Sequence, residues 1–167
     1  MKYFIEELKL AFDNKLYILS LNSALIIPDI CSGLESSNGE TSGSKYMAWF
    51  EKYCKTKFNG MLSAKDAWKL RCAVLHQGRF DHKDISYEKI IFQLPNKGVE
   101  VGTMEVNNGT PMLSISITLF VLDMLKSYEE WYSQSKDDSN VKKNLENSIN
   151  FHPNGLLPFF IGVPVIA

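Results

Sequence analysis

The sequence predicts a mainly α fold: an antiparallel bundle of four to five helices, with a small β-meander at about residues 87–116 inserted before the last long helix. Three observations carry this. Apolar residues recur at three-and-four spacing in several separate stretches, the period switches to two between Tyr87 and Ser116, and it returns to three-and-four from Ile117. With 167 residues, 45% hydrophobic and 22% charged, the chain has the composition of one well-packed core rather than of disorder. It therefore reads as a single domain over 1–167.

Phe4, Ile5, Leu8, Ala11 and Phe12 predict a first helix over residues 2–12, which Asp13-Asn14 stops while offering a cap to the next. From Leu16 to Ile27 apolar residues cover nearly every side, so a second helix is expected to run through the middle of the bundle, with Pro28 kinking or restarting it. Ser36–Ser44, reading SSNGETSGS, lacks any apolar residue and predicts a mobile loop or small lid. Tyr46, Trp49, Phe50 and Tyr53 then share the core-facing side of a third helix.

Ser63 and Asp66 form a capping-box-like pair at the start of a fourth helix, and Gly78 is its left-handed terminator. Alternation at Ile90/Phe92/Leu94, Val99/Val101/Thr103 and Leu113/Ile115/Ile117 predicts the three-stranded meander. Its turns are Pro95-Asn96-Lys97-Gly98 and Asn107-Asn108-Gly109. Ile117, Phe120, Val121, Met124, Leu125, Tyr128, Trp131 and Tyr132 form the last long helix. The polar stretch 133–150 reads as a loop or loose helix. Residues 151–167, with Pro153, Pro158 and Pro164, read as an extended tail packed down on the core.

No apolar run reaches the eighteen residues a membrane span needs, since the longest, Leu16–Ile30, is interrupted by Ser20, Asn22, Ser23, Pro28 and Asp29. The start of the chain turns acidic at Glu6-Glu7 before any signal-like stretch develops. The expectation is a cytoplasmic chain without membrane contact. Cys31, Cys54 and Cys72 are odd in number and form no CxxC pair, which argues against a disulfide framework or a zinc site, so neither metal nor cofactor is expected. The net charge is −1, but residues 45–90 hold ten Lys/Arg against five Asp/Glu, leaving eight against fourteen elsewhere. A centre of +5 between flanks totalling −6 suits a phosphate-bearing partner, and equally a surface of scattered lysines.

On the fourth helix Ala64, Ala67, Trp68, Val74 and Leu75 form an apolar stripe with Arg71 near its centre. A guanidinium placed there needs a carboxylate, a subunit boundary or a phosphate, because an uncompensated buried charge costs several kcal/mol. Asp29 and Glu35 are the internal candidates. His76 lies about 140° further around an ideal helix, on a neighbouring stripe with Lys65, Lys69 and Cys72. It precedes the terminator, where the negative helix end favours an imidazole that both takes and gives protons.

The segment Lys69-Leu70-Arg71-Cys72-Ala73-Val74-Leu75-His76-Gln77-Gly78 resembles the signature of the HEPN superfamily, the higher eukaryotes and prokaryotes nucleotide-binding domains. The hallmark of that family is Arg, four to six residues, then His, near the end of a bundle helix. Ile27-Pro28-Asp29-Ile30-Cys31 and Lys45-Tyr46-x-x-Trp49-Phe50 extend the likeness to a small bacterial family of this kind. Where many active members carry Asn, Asp or His directly after the arginine, this chain carries Cys72.

The resemblance implies a metal-independent endoribonuclease of toxin–antitoxin, phage-defence or RNA-processing type. Its partners would be RNA, a second copy forming a homodimer with a composite active site, and an antitoxin protein. Arg71 would stabilise the phosphate and His76 would act as general acid and base. Lys65, Lys69 and Gln77 would bind substrate, with Arg79 and His82 extending the track. A two-fold axis would bring Arg71 of one copy to His76 of the other, offsetting their angular separation. The alternative is a non-catalytic helical module that binds a nucleotide or a protein, with Arg71 as an anchor and His76 as a cap.

Overall fold

A computed structural model describes residues 1–95, 101–104 and 109–167, and the chain is mainly helical. The helices are α1 (Lys2–Asp13), α2 (Tyr17–Leu25), α3 (Ile27–Glu35), α4 (Gly43–Cys54), α5 (Ala64–Gln77), α6 (Ile117–Ser135) and α7 (Ser139–Glu146). A 3-10 turn spans Phe58–Gly60. The strands are β1 (Ile90–Gln93), β2 (Val101–Met104), β3 (Met112–Ser116), β4 (Phe151–His152) and β5 (Val165–Ile166). Val99 and the turn residues Asn96-Lys97-Gly98 and Asn107-Asn108 of the predicted meander lie outside the described residues.

Helix α6 is the spine. Its three-and-four pattern buries Phe120, Val121, Met124 and Trp131 completely, against α2, α3 and α4. Rings form a continuous ladder through the core. Tyr46 stacks on Phe50, Phe50 on Phe58 and Phe58 on Phe120 at centroid distances of 6.4, 6.3 and 5.3 Å, and Phe120 meets Phe92 of β1 edge-on at 5.1 Å. Each fully buried ring contributes about 1.5–3 kcal/mol of transfer free energy. The four aromatics predicted to face the core from α4, namely Tyr46, Trp49, Phe50 and Tyr53, are all buried.

Three expectations need correction. The first concerns the predicted all-round buried helix. The restart expected at Pro28 is present, α3 beginning at Ile27 with Pro28 in its first turn, but Leu16, Ile18 and Leu19 are exposed. Helix α2 offers Ser20, Leu21, Ala24 and Leu25 to its neighbours, and no element covers its outer face among the described residues.

The second correction is to the sheet, which is not a meander. Its order is β1-β3-β2, with β1 parallel to β3 and β2 antiparallel to it. In β3, Leu113, Ser114 and Ile115 are all buried, so this strand takes the centre and runs directly into α6, where Ile117 is buried in turn. Ile90 pairs with Leu113 and Phe92 with Ile115, while Val101 faces Ile115 from the other side.

The third correction is to the tail. Residues 150–167 close on themselves as a β4–β5 hairpin arm instead of packing down. Asn150 and Ala167 exchange backbone hydrogen bonds at its base, and Gly162 N–H donates to Asn154 O at 3.0 Å. The loop 36–42, expected to be mobile, is bound in at several points. Asn144 Nδ2 donates to the carbonyls of Leu34 and Ser36 at 2.9 and 2.7 Å, and Ser32 and Thr41 hydroxyls meet at 2.6 Å. By length and composition Tyr17–Glu35 would suffice to cross a membrane, but 61% of that stretch is buried in the fold, as for a core helix.

Candidate active site

Both ends of α5 follow from local chemistry. Ser63 Oγ accepts the Asp66 N–H at 3.1 Å and donates to Asp66 Oδ2 at 2.7 Å, satisfying a first-turn amide that the helix itself cannot. The other oxygen of Asp66 accepts the Ser86 N–H at 2.8 Å, tying the following loop to the helix start. At the far end Gly78 adopts φ 64°, and the N–H groups of Gly78 and Arg79 close on the carbonyls of Val74 and Ala73.

The buried stripe of α5 is Ala67, Leu70 and Ala73, with Asp66, so Arg71 sits at the edge of the apolar face and not at its centre. From that edge its side chain reaches the first turn of α3. Arg71 Nε donates to Asp29 Oδ2 at 2.7 Å, the carboxylate side chain being only 9% exposed. The guanidinium also lies over the Trp68 ring, 5.2 Å from its centroid. The indole in turn lies against Gly43 at the start of α4, where a Cβ would come within 2.9 Å of it, so only glycine lets α4 approach this closely.

Arg71 and His76 meet within one chain, at 3.1 Å between Nη1 and Nε2. The expected angular offset is bridged by the length of the arginine side chain, and no two-fold axis is needed to bring the groups together. A guanidinium only donates, so in this contact Nε2 accepts and the ring proton belongs on Nδ1. Nε and Nη1 bonds engage two of the five guanidinium N–H donors, and five minus two leaves three for an anion. His76 is exposed at the helix end, whereas Asp29 is buried. Burial pushes the Asp29 carboxyl above its ordinary range, and the Arg71 hydrogen bond and charge pull it back.

Asp29 Oδ1 is buried and has no hydrogen-bond partner among the described residues. The same residue lines an open cavity of about 480 Å³ between α3, the 37–41 loop and α7, with Thr41, Lys143, Asn144 and Asn147 around it.

The other predicted site residues are only partly gathered here. Lys65 and Gln77 are exposed on α5. Lys69 is committed to Asp84 at 2.9 Å, and Arg79 to Asp81 at 2.7 Å, so two cations of the expected track already have a carboxylate. His82 Nδ1 accepts the Asp84 N–H at 3.1 Å. Glu35, the second carboxylate proposed for Arg71, instead accepts from Trp131 Nε1 and Ser135 Oγ at 3.0 and 3.3 Å.

The platform role of Trp68 was not anticipated, although its three-residue spacing from Arg71 is the signal that could have revealed it. Among the described residues no three His, Cys, Asp or Glu side chains converge to hold a metal ion. Comparison with protein-family models, curated proteins and solved structures finds no match to this chain. Residue chemistry and geometry therefore carry the functional reading.

Proposed function

We propose that the chain is a HEPN-like, metal-independent endoribonuclease whose site is built on Asp29, Arg71 and His76. The observation that carries this reading is the guanidinium bridge from a buried carboxylate to an exposed imidazole. Such a bridge holds a cation at the surface in a fixed orientation, with free donors beside a group able to move protons.

RNA cleavage by transesterification requires the ribose 2′-hydroxyl to lose a proton as its oxygen attacks phosphorus. It also requires the departing 5′-oxygen to gain one, and negative charge on the phosphorane to be stabilised. Arg71 provides the stabilising charge, and His76 the proton transfer once Nη1 turns from Nε2 to the phosphate, while Asp29, acting through Arg71, is a positioning residue. In a homodimer His76 of the second copy would supply the complementary acid. Gln77, exposed next to His76 at the end of α5, and Lys65, exposed in its first turn, would meet the RNA backbone. Lys69 would have to leave Asp84 to join them. A toxin or phage-defence role, with an antitoxin partner in the cytoplasm, fits such an enzyme.

The second reading, a module that binds a nucleotide or protein without cleaving it, is favoured by one specific feature: the unpartnered Asp29 oxygen beside the α3–α7 cavity. A ligand bearing an N–H donor would satisfy it.

Incubating the purified chain with total RNA in EDTA separates the two. Cleavage that falls by about 100-fold or more in both Arg71→Ala and His76→Ala supports the nuclease. Asp29→Asn should reduce cleavage less and shift its pH profile. An intact RNA pool in every sample, or cleavage indifferent to both substitutions, removes the nuclease reading.

A further inference from the structure

The hairpin arm is ordered by its own backbone and yet uncovered. Besides the β4–β5 pairing, the N–H groups of Phe159 and Phe160 both donate to Leu156 O at 2.9 Å. Gly155, at φ 94°, lets the turn close, because a Cβ there would collide with the Phe160 carbonyl. The side chains this arrangement presents are Leu157, Phe159, Phe160, Ile161, Val163 and Ile166, each 55–77% exposed. They amount to on the order of 700 Å² of apolar surface, close to the ~800 Å² that each partner buries in a standard stable interface. A single monomer rarely leaves so much contiguous apolar area in water.

Beside the base of the arm runs an apolar groove of about 630 Å³, walled by Tyr3 and Phe4 of α1, Ile30 of α3, and Ile149, Phe151 and Ile166, with Glu7 as its one charged side chain among the described residues. The arm cannot fill its own groove, since β4 and β5 form one wall and the tip stands in solvent.

We infer that the occupant is a second copy of this chain. The arm tip of each copy seats in the groove of the other, a reciprocal contact that closes about a two-fold axis. Charge favours this partner over the alternatives. Residues 151–167 contain no Lys, Arg, Asp or Glu, so the arm offers nothing to pair with RNA or an acidic protein, and no basic side chain to anchor on an anionic membrane. What does match an uncharged apolar arm is a groove of the same character on an identical chain. The contact stands whether or not RNA is cut.

Sedimentation velocity on the full chain over a micromolar concentration series tests it. The wild type should sediment as a dimer. Phe159→Glu with Ile161→Glu on the arm, or Ile149→Lys in the groove, should each weaken dimerisation by roughly 100-fold or more, with far-ultraviolet circular dichroism unchanged because all three positions are exposed. A monomeric wild type overturns the inference, as does a dimer that survives both the arm and the groove substitutions. Flotation of the wild-type chain with neutral phosphatidylcholine vesicles while it remains monomeric would assign the arm to a lipid surface instead.

Discussion

Helix α6 and the arm at 151–167 are both rich in large apolar residues, yet one is the spine of the core and the other stands in solvent. Hydrophobicity does not separate them; geometry does. In α6 the backbone satisfies its own hydrogen bonds and the three-and-four spacing gathers Phe120, Met124 and Trp131 onto faces that α2, α3 and α4 can cover. In the arm three prolines prevent any such helix, the two-residue strands β4 and β5 pair only with each other, and the side chains point away from the core. Burial needs a periodic surface and a neighbour with a complementary one, and only α6 has both within a single chain.

That contrast can be broken by substitution. Trp131→Ala should cost the most, about 3–5 kcal/mol in denaturant unfolding, since it empties a fully buried site and strands Glu35 without its indole donor. Ser127→Ala, on the same helix, should cost about 1 kcal/mol, because its hydroxyl donates within the core to the Asp123 and Tyr53 carbonyls at 2.8 and 3.1 Å. Phe159→Ser on the arm, measured in protein dilute enough to be monomeric, should stay within about 0.5 kcal/mol. A large loss there would show that the arm packs on its own chain.

Thiol labelling sharpens the same comparison. Cys31 and Cys54 lie buried against the α6 side of the core, and burial pushes the Cys54 thiol up to about 12, whereas Cys72 is within reach of solvent. One thiol per chain should react in the wild type and in the Phe159 variant, and all three once Trp131→Ala loosens the core.

The smallest effect concerns the site, and its sign is the informative part. Because the folded-state pKa of Asp29 is raised, the folded chain holds that proton more tightly than the unfolded one. The contribution of Asp29 is therefore most favourable below its ordinary value of 3.8 and is lost as pH rises through the folded-state value. Asp29→Asn should gain stability relative to wild type as pH is raised from about 4 towards neutrality, read from paired thermal unfolding curves. The opposite drift would mean that the Arg71 ion pair outweighs the burial of the carboxylate.

Much of the helical framework was legible in the residue order because its causes are local. The capping pair Ser63–Asp66, the left-handed Gly78, the aromatic face of α4 and the periodic run of α6 each encode an element within a few residues. The β-region was legible as strands but not as a topology. Alternation at Leu113 and Ile115 says that a strand exists, whereas its place between β1 and β2 depends on what covers its two faces. Arg71 and His76 stood out as a pair. Their spacing around the helix pointed to a contact between subunits, because a helical wheel carries Cα directions and not the reach of a long side chain.

By itself, then, the order of residues determined where helices begin and end and which faces are apolar, since capping, glycine conformation and periodicity act over one or two turns. The tertiary structure alone decided that Asp29 and not Glu35 meets Arg71, that β3 is central, and that the arm remains outside the core. Those outcomes depend on groups separated by tens of residues competing for the same partners and the same buried space, and no local rule ranks such competitors.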